Sequence, residues 1–177
     1  IVGFYTPWFL KRLKAGFVDV RNPYNETQVS RIYFEDVELL VFCTKNPRPI
    51  IPYLKSIPKP LLFHITVTGY HKDIEPNVKD KKSIIEDIKE ISKTIGKERV
   101  YLRYDPIFLN DKYTVEYHIS CIKRLCELLE GYIDKIIISF IDDYKNVRKN
   151  EKVLRFREFK ESDYKSLGEN ISKICHS

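Results

Sequence analysis

Along Glu98-Arg99-Val100-Tyr101-Leu102-Arg103-Tyr104-Asp105-Pro106 apolar and polar positions alternate. Val100, Leu102 and Tyr104 fall on one side of an extended backbone, and Tyr101, Arg103 and Asp105 on the other. That is the period of a strand. Pro106 has no N–H to give to a ladder, so the strand is expected to stop there. A helical pattern ends near Gly96 just before it, and another follows the loop from Ile107 to Asp111. Strands fed and followed by helices belong to parallel sheets with both faces covered.

The rest of the chain reads by the same rules. Thr6-Pro7 reads as the N-cap and first position of a helix with Trp8, Phe9 and Leu13 on its apolar side, ended by Gly16. Phe17 to Arg21 is a short strand that stops at Asn22-Pro23, and Gln28 to Phe34 is a small added one. The continuous apolar run from Glu38 to Thr44 predicts a buried strand. Pro47, Pro49 and Pro52 then leave room for a short helix near Ile50 to Lys55. In Leu61 to Thr68, Phe63, Ile65 and Val67 form one face, and His64, Thr66 and Thr68 the other. After the polar loop Gly69 to Lys79, Asp80 caps a helix with Ile84, Ile85, Ile88, Ile91 and Ile95 on one side. Thr114 caps another, closed by Gly131. Lys135 to Ile141 is the fifth strand, followed by Asp142-Asp143-Tyr144. Ser162 to about Ile174 is the clear helix of the charged last part.

Repeated strand–helix units predict an α/β fold with a parallel sheet or barrel. A complete eight-unit barrel needs about 250 residues. The 177 residues are therefore expected to form a single domain, a partial (β/α) barrel of about five parallel strands with helices outside. This would be the amino-terminal part of the barrel, with the carboxyl-terminal part missing.

Composition narrows the class. The chain is 43% hydrophobic, enough for a real core, and its net charge is +6. Many lysines sit beside acids, as in Lys89-Glu90, which reads as a solvated face. No apolar run approaches the about 20 residues of a membrane span, and residues 1–8 lack the marks of a signal peptide. The four cysteines, Cys43, Cys121, Cys126 and Cys175, show no metal-ligand spacing and no disulfide framework, which predicts a reducing cytoplasmic setting.

Candidate chemistry gathers at the strand ends: Arg21-Asn22, Thr44-Lys45-Asn46, Thr68, Arg103 with Asp105, and Asp142. In a barrel these ring one cleft suited to an anionic or zwitterionic ligand. Arg103 and Asp105 read equally as an ion pair closing the sheet. Asp73 and Glu75 suit general acid–base work or a solvated loop that caps the next helix. His64 reads as a hydrogen-bonded core residue, and His118 as structural. Cys121 and Cys126, turned by about 140° on one helix, diverge.

Six stretches stand in order: Asn22-Pro23-Tyr24-Asn25, Thr44-Lys45-Asn46-Pro47, Thr68-Gly69-Tyr70, Asp73-Ile74-Glu75-Pro76-Asn77, Arg103-Tyr104-Asp105-Pro106 and Ser139-Phe140-Ile141-Asp142. Together they resemble the family called domain of unknown function 1848. Its members look similar to radical S-adenosylmethionine enzymes, with a cysteine cluster at the carboxyl end of the chain. The resemblance implies S-adenosylmethionine and a [4Fe-4S] cluster for a longer parent protein. A Ser-Arg-Arg-Thr-Asp run ahead of Ile1 and the cysteine-bearing carboxyl-terminal third are expected there, and neither is in these residues. No metal ligand is assigned here, and the fragment alone is expected to bind no cluster and to be inactive. Arg103, Asp105 and Glu75 are the expected catalytic residues. Asn22, Lys45, Asn46, Thr68 and Asp142 are the expected contacts to cofactor or substrate. Expected partners are a small-molecule or nucleic-acid-derived substrate and the rest of its own chain, with no membrane. The alternative is a nucleic-acid-binding module using the basic, tyrosine-rich surface that 12 tyrosines suggest.

Overall fold

A computed structural model describes residues 2–142 and 145–175, with the side chain of Asn146 set aside. Asp143 and Tyr144, expected to follow the last strand, lie outside the described residues. The first helix, α1 (Val2–Ala15), starts before Thr6 and runs through Pro7. Thr6 is therefore no N-cap: its Oγ1 donates to the Val2 carbonyl at 2.8 Å inside the first turn. Pro7, the sixth helical residue, has no N–H to donate to the Gly3 carbonyl, so the helix runs on at the cost of one backbone bond. Gly16, at φ +84°, ends the helix as expected.

Strands β1 (Phe17–Asn22) and β2 (Asn25–Tyr33) pair antiparallel as a separate hairpin. The expected first strand of the parallel sheet is thus not part of it. The sheet has four parallel strands: β3 (Leu40–Thr44), β4 (Leu61–Thr66), β5 (Val100–Ile107) and β6 (Lys135–Phe140), in that spatial order. Its edges are β3 and β6, so a five-stranded barrel is not formed by the described residues. A 3₁₀ segment (Arg48–Ser56) links β3 to β4. Helix α2 (Lys81–Ile95) joins β4 to β5, and α3 (Val115–Leu129) joins β5 to β6. The short α4 (Lys145–Lys149) and α5 (Glu151–Leu154), and then α6 (Glu161–Cys175), complete the chain.

The caps follow the sequence. Asp80 accepts from the Ser83 N–H and Thr114 from the Tyr117 N–H, so each helix begins where its capping oxygen stands. Ile84, Ile85, Ile88 and Ile91 of α2 recur on one side and are buried, with Ile95 partly so, as are Ile122, Leu125 and Leu129 of α3. They pack with Phe63 and Ile65 of β4 and with Val100, Leu102 and Tyr104 of β5. Each such side chain contributes about 1.5–3 kcal/mol on burial.

The helices cover one face of the sheet. The other face stays partly exposed, and its residues lie in register. Cys43, His64, Tyr101 and Lys135 form one row across all four strands; Thr66, Arg103 and Ile137 form the next. The expectation of a sheet covered on both faces does not hold. Strand β3 is correspondingly half-exposed at Val41 and Cys43 and is not a buried strand. The strand at β5 also outlasts Pro106: pairing shifts after Tyr104 and resumes with Ile107 opposite Phe140. Pro106 occupies that irregularity, where no ladder N–H is called for.

Candidate functional site

Parallel order puts the ends of β3, β4, β5 and β6 along one edge of the sheet. Two charged groups form there.

The first is built on Glu75. The loop after β4 folds back through bonds from the Ile74 and Glu75 N–H groups to the His71 carbonyl, at 3.1 and 2.8 Å. This returns Glu75 to the strand it left. One carboxylate oxygen is ion-paired with Lys45, just past β3. The other accepts from the Thr68 hydroxyl at 2.7 Å and lies 4.0 Å from the Lys81 ammonium. Lys81 donates to the carbonyls of Thr68, at 2.6 Å, and Tyr70. Its partial burial pushes its pKa down, with Glu75 acting in the opposite direction. Asp73, the other carboxylate of this loop, turns away. It accepts from Tyr113 at 2.6 Å and from Lys112 at 2.7 Å, and these bonds hold its pKa at about 2. So the loop is largely exposed, as a solvated loop would be, but both of its carboxylates are held by partners.

The second group lies on the half-open face. Arg103 is ion-paired with Asp105 through one guanidinium nitrogen. Ser139 of β6 donates to the other Asp105 oxygen at 2.6 Å. The Arg103 Nε–H is buried without an acceptor among the described residues. An unsatisfied buried donor costs about 1–3 kcal/mol, a cost that a bound acceptor would relieve. One row down, the His64 ring lies tilted beside Tyr101 with ring centroids 5.2 Å apart, and the Lys135 ammonium lies over the Tyr101 ring at 4.8 Å. His64 is therefore on the open face and not a core residue. Burial, then Arg103 and Lys135, push its pKa down, so the ring is neutral at pH 7.

The expected site residues sort as follows. Lys45, Thr68 and Glu75 meet directly, and Arg103 and Asp105 meet beside them on the next strand. Asn46 follows Lys45, with its backbone N–H on the Thr44 hydroxyl at 2.9 Å and its buried Oδ1 unpartnered among the described residues. Asp142 lies just past β6 at the same edge and is exposed. Asn22 does not join them. It shapes the hairpin turn, donating to Gln28 at 2.7 Å and accepting from the Tyr24 N–H at 2.9 Å. Sequence reasoning missed Lys81. A lysine in the first turn of a helix opposes the helix dipole, which is a signal that its charge is used elsewhere.

The comparisons with known proteins now bear on this site. The sequence matches the family described as domain of unknown function (DUF1848) over residues 1–177. The chain belongs to this family. No curated protein matches the chain, and neither does any solved structure. Among the described residues no group of three His, Cys, Asp or Glu side chains is placed to hold a metal ion. Cys43 lies on β3, Cys121 and Cys126 on α3, and Cys175 at the end of α6. These cysteines do not fit an iron–sulfur cluster. No helix among the described residues is long and apolar enough to cross a membrane.

Proposed function

We propose that this chain forms one arc of the wall of a (β/α) barrel in an enzyme, with the half-open sheet face turned toward the substrate. The observation that carries the reading is Arg103, whose buried Nε–H has no acceptor among the described residues, on a face that the helices leave uncovered. In a barrel, strand residues packed on the outer helices alternate with residues that point inward. Buried Leu102 and Tyr104 against half-open Tyr101, Arg103 and Asp105 follow that alternation.

The substrate class is an anionic or zwitterionic small molecule. A guanidinium binds carboxylate or phosphate by directed hydrogen bonds, and Asp105, fixed by Ser139, orients it. Glu75 is the general acid or base: it holds or accepts a proton when Lys45 turns from it to the ligand. Asn46, Thr68 and Asp142 complete the rim. The resemblance to radical S-adenosylmethionine enzymes fits this donor set at the amino-acid end of that cofactor, whose carboxylate matches Arg103 and whose ammonium matches Asp105. The nucleic-acid reading is less well supported. Tyr70, Tyr104 and Tyr113 are buried, and the exposed Tyr5, Tyr24, Tyr33, Tyr53 and Tyr164 are spread over α1, the hairpin, the 3₁₀ segment and α6, with only Tyr24 and Tyr33 on one element.

Titration of isotope-labelled protein with S-adenosylmethionine, followed by NMR, tests the reading. Saturable shifts at His64, Tyr101 and Arg103 are expected, and Arg103→Gln should weaken binding about tenfold or more, the loss of a charged hydrogen bond. Undisturbed signals on this face at millimolar ligand would sink the proposal.

A further inference from the structure

A cavity of about 540 Å³ lies between the loop after β4, the start of α2 and the middle of α3. It lies on the helix side of the sheet, where Val67 and Leu125, which line it, belong to the core, and it shares Thr68, Glu75 and Lys81 with the charged group at the strand ends. Its volume is within the range of small-molecule sites, about 300–1,000 Å³.

The charge around it is one-sided. Five lysine and arginine side chains line it against two carboxylates, Glu75 and Asp80. Both carboxylates are already engaged, Glu75 by Lys45 and Thr68, and Asp80 by the Ser83 N–H at 3.1 Å. Lys72 and Lys81 are spent on tying the loop, donating to the carbonyls of Pro76 and Val78 and of Thr68 and Tyr70. That leaves Lys79 and Lys82 on one side and Arg124 on the other, all exposed, with Arg124 paired to its helix neighbour Glu127 at 3.1 Å. We propose that this cavity binds a small organic anion, its phosphate or carboxylate head held by Lys79, Lys82 and Arg124 and its apolar body resting on Val67, Val78 and Leu125. Cations that line a cavity with apolar walls favour an anion with an apolar body, whose head pairs with the charges while its body leaves water against Val67, Val78 and Leu125. The pocket goes beyond the sheet-face reading and needs neither Arg103 nor the open face, although Thr68 and Glu75 border both.

Calorimetric titration at low salt separates the parts of the claim. The probes are phenyl phosphate, benzoate, inorganic phosphate and benzyl alcohol. Phenyl phosphate, benzoate or both should bind, and which of them binds identifies the head group. Inorganic phosphate and benzyl alcohol should bind at least about tenfold more weakly, and added salt should weaken the organic anions. The exposed double change K82E and R124E should reduce their affinity about tenfold or more, and Ser120→Trp should abolish it by filling the mouth. Circular dichroism confirms that each variant is folded. The proposal is overturned if neither organic anion binds, or if inorganic phosphate or the neutral alcohol binds as well. Unchanged binding in either variant overturns it too.

Discussion

His118 shows how much one buried side chain can fix. Its Nε2 faces the Phe108 carbonyl at 2.9 Å, and its Nδ1 faces the Tyr104 hydroxyl at 2.7 Å. A carbonyl only accepts, so Nε2 carries the proton, and Nδ1 accepts from Tyr104. Gly69 is set by the same tyrosine: a Cβ there would lie 2.5 Å from the Tyr104 hydroxyl and 2.9 Å from the Cys121 sulfur. This gives the Thr68-Gly69-Tyr70 stretch a steric reason. Burial pushes the His118 pKa below its ordinary 6.5. The unfolded ring takes up a proton as pH falls through about 6.5, while the folded ring still refuses it. Stability is therefore complete above that pH and declines as pH falls from it toward the folded value. His64 contributes with the same sign from its half-exposed position. His118→Gln should cost about 1–3 kcal/mol at pH 7 and flatten the dependence on pH below about 6.5. Urea unfolding of both proteins across that range checks this. An unchanged slope in the variant would show that the ring is not the titrating group.

Among the elements, the parts written in local chemistry were legible. Asp80 and Thr114 announce their helices because a cap is a contact within three residues. The alternations at β4 and β5 announce which side is buried, because side chains of a strand must alternate. Partner choice was not legible. Phe17 to Arg21 has the same strand character whether it pairs in a parallel sheet or in a hairpin, and only the tight return through Pro23 and Tyr24 separates the two. The candidate site was half legible for the same reason. Arg103 and Asp105 are one strand step apart and could be read, whereas Lys45 and Glu75 are 30 positions apart and meet only through the fold of the loop. These differences should appear in backbone dynamics. The hairpin pairs only with itself, and every residue of β2 is exposed, while β4 and β5 are flanked on both sides within the sheet. Amide hydrogen exchange should run through β1 and β2 well before β4 and β5, since local opening costs least where little is buried. Equal protection in the hairpin and the central strands would contradict the picture of a hairpin set apart from the core.

At the scale of the whole molecule, the sheet ends in two edges, and β3 is the more vulnerable. Its outer N–H and C=O groups have no strand beside them among the described residues. Val41 is 49% exposed on the face the helices leave open, and Cys43 follows it there. An exposed edge with apolar side chains is a template for pairing with another chain. Charge on such an edge blocks the pairing, because a neighbour would have to bury an unpartnered ammonium. The chain by itself should therefore associate as its concentration rises, even under reducing conditions that exclude bridging through Cys43. Val41→Lys should suppress the association while changing stability by no more than about 0.5 kcal/mol, because the position already faces solvent. Sedimentation velocity over a concentration series, with urea unfolding of the same two proteins, measures both quantities. Association that persists unchanged in Val41→Lys would move the contact elsewhere, with the exposed hairpin strand β2 next in line. A chain that stays monomeric throughout would mean that the β3 edge is protected by its own twist and length.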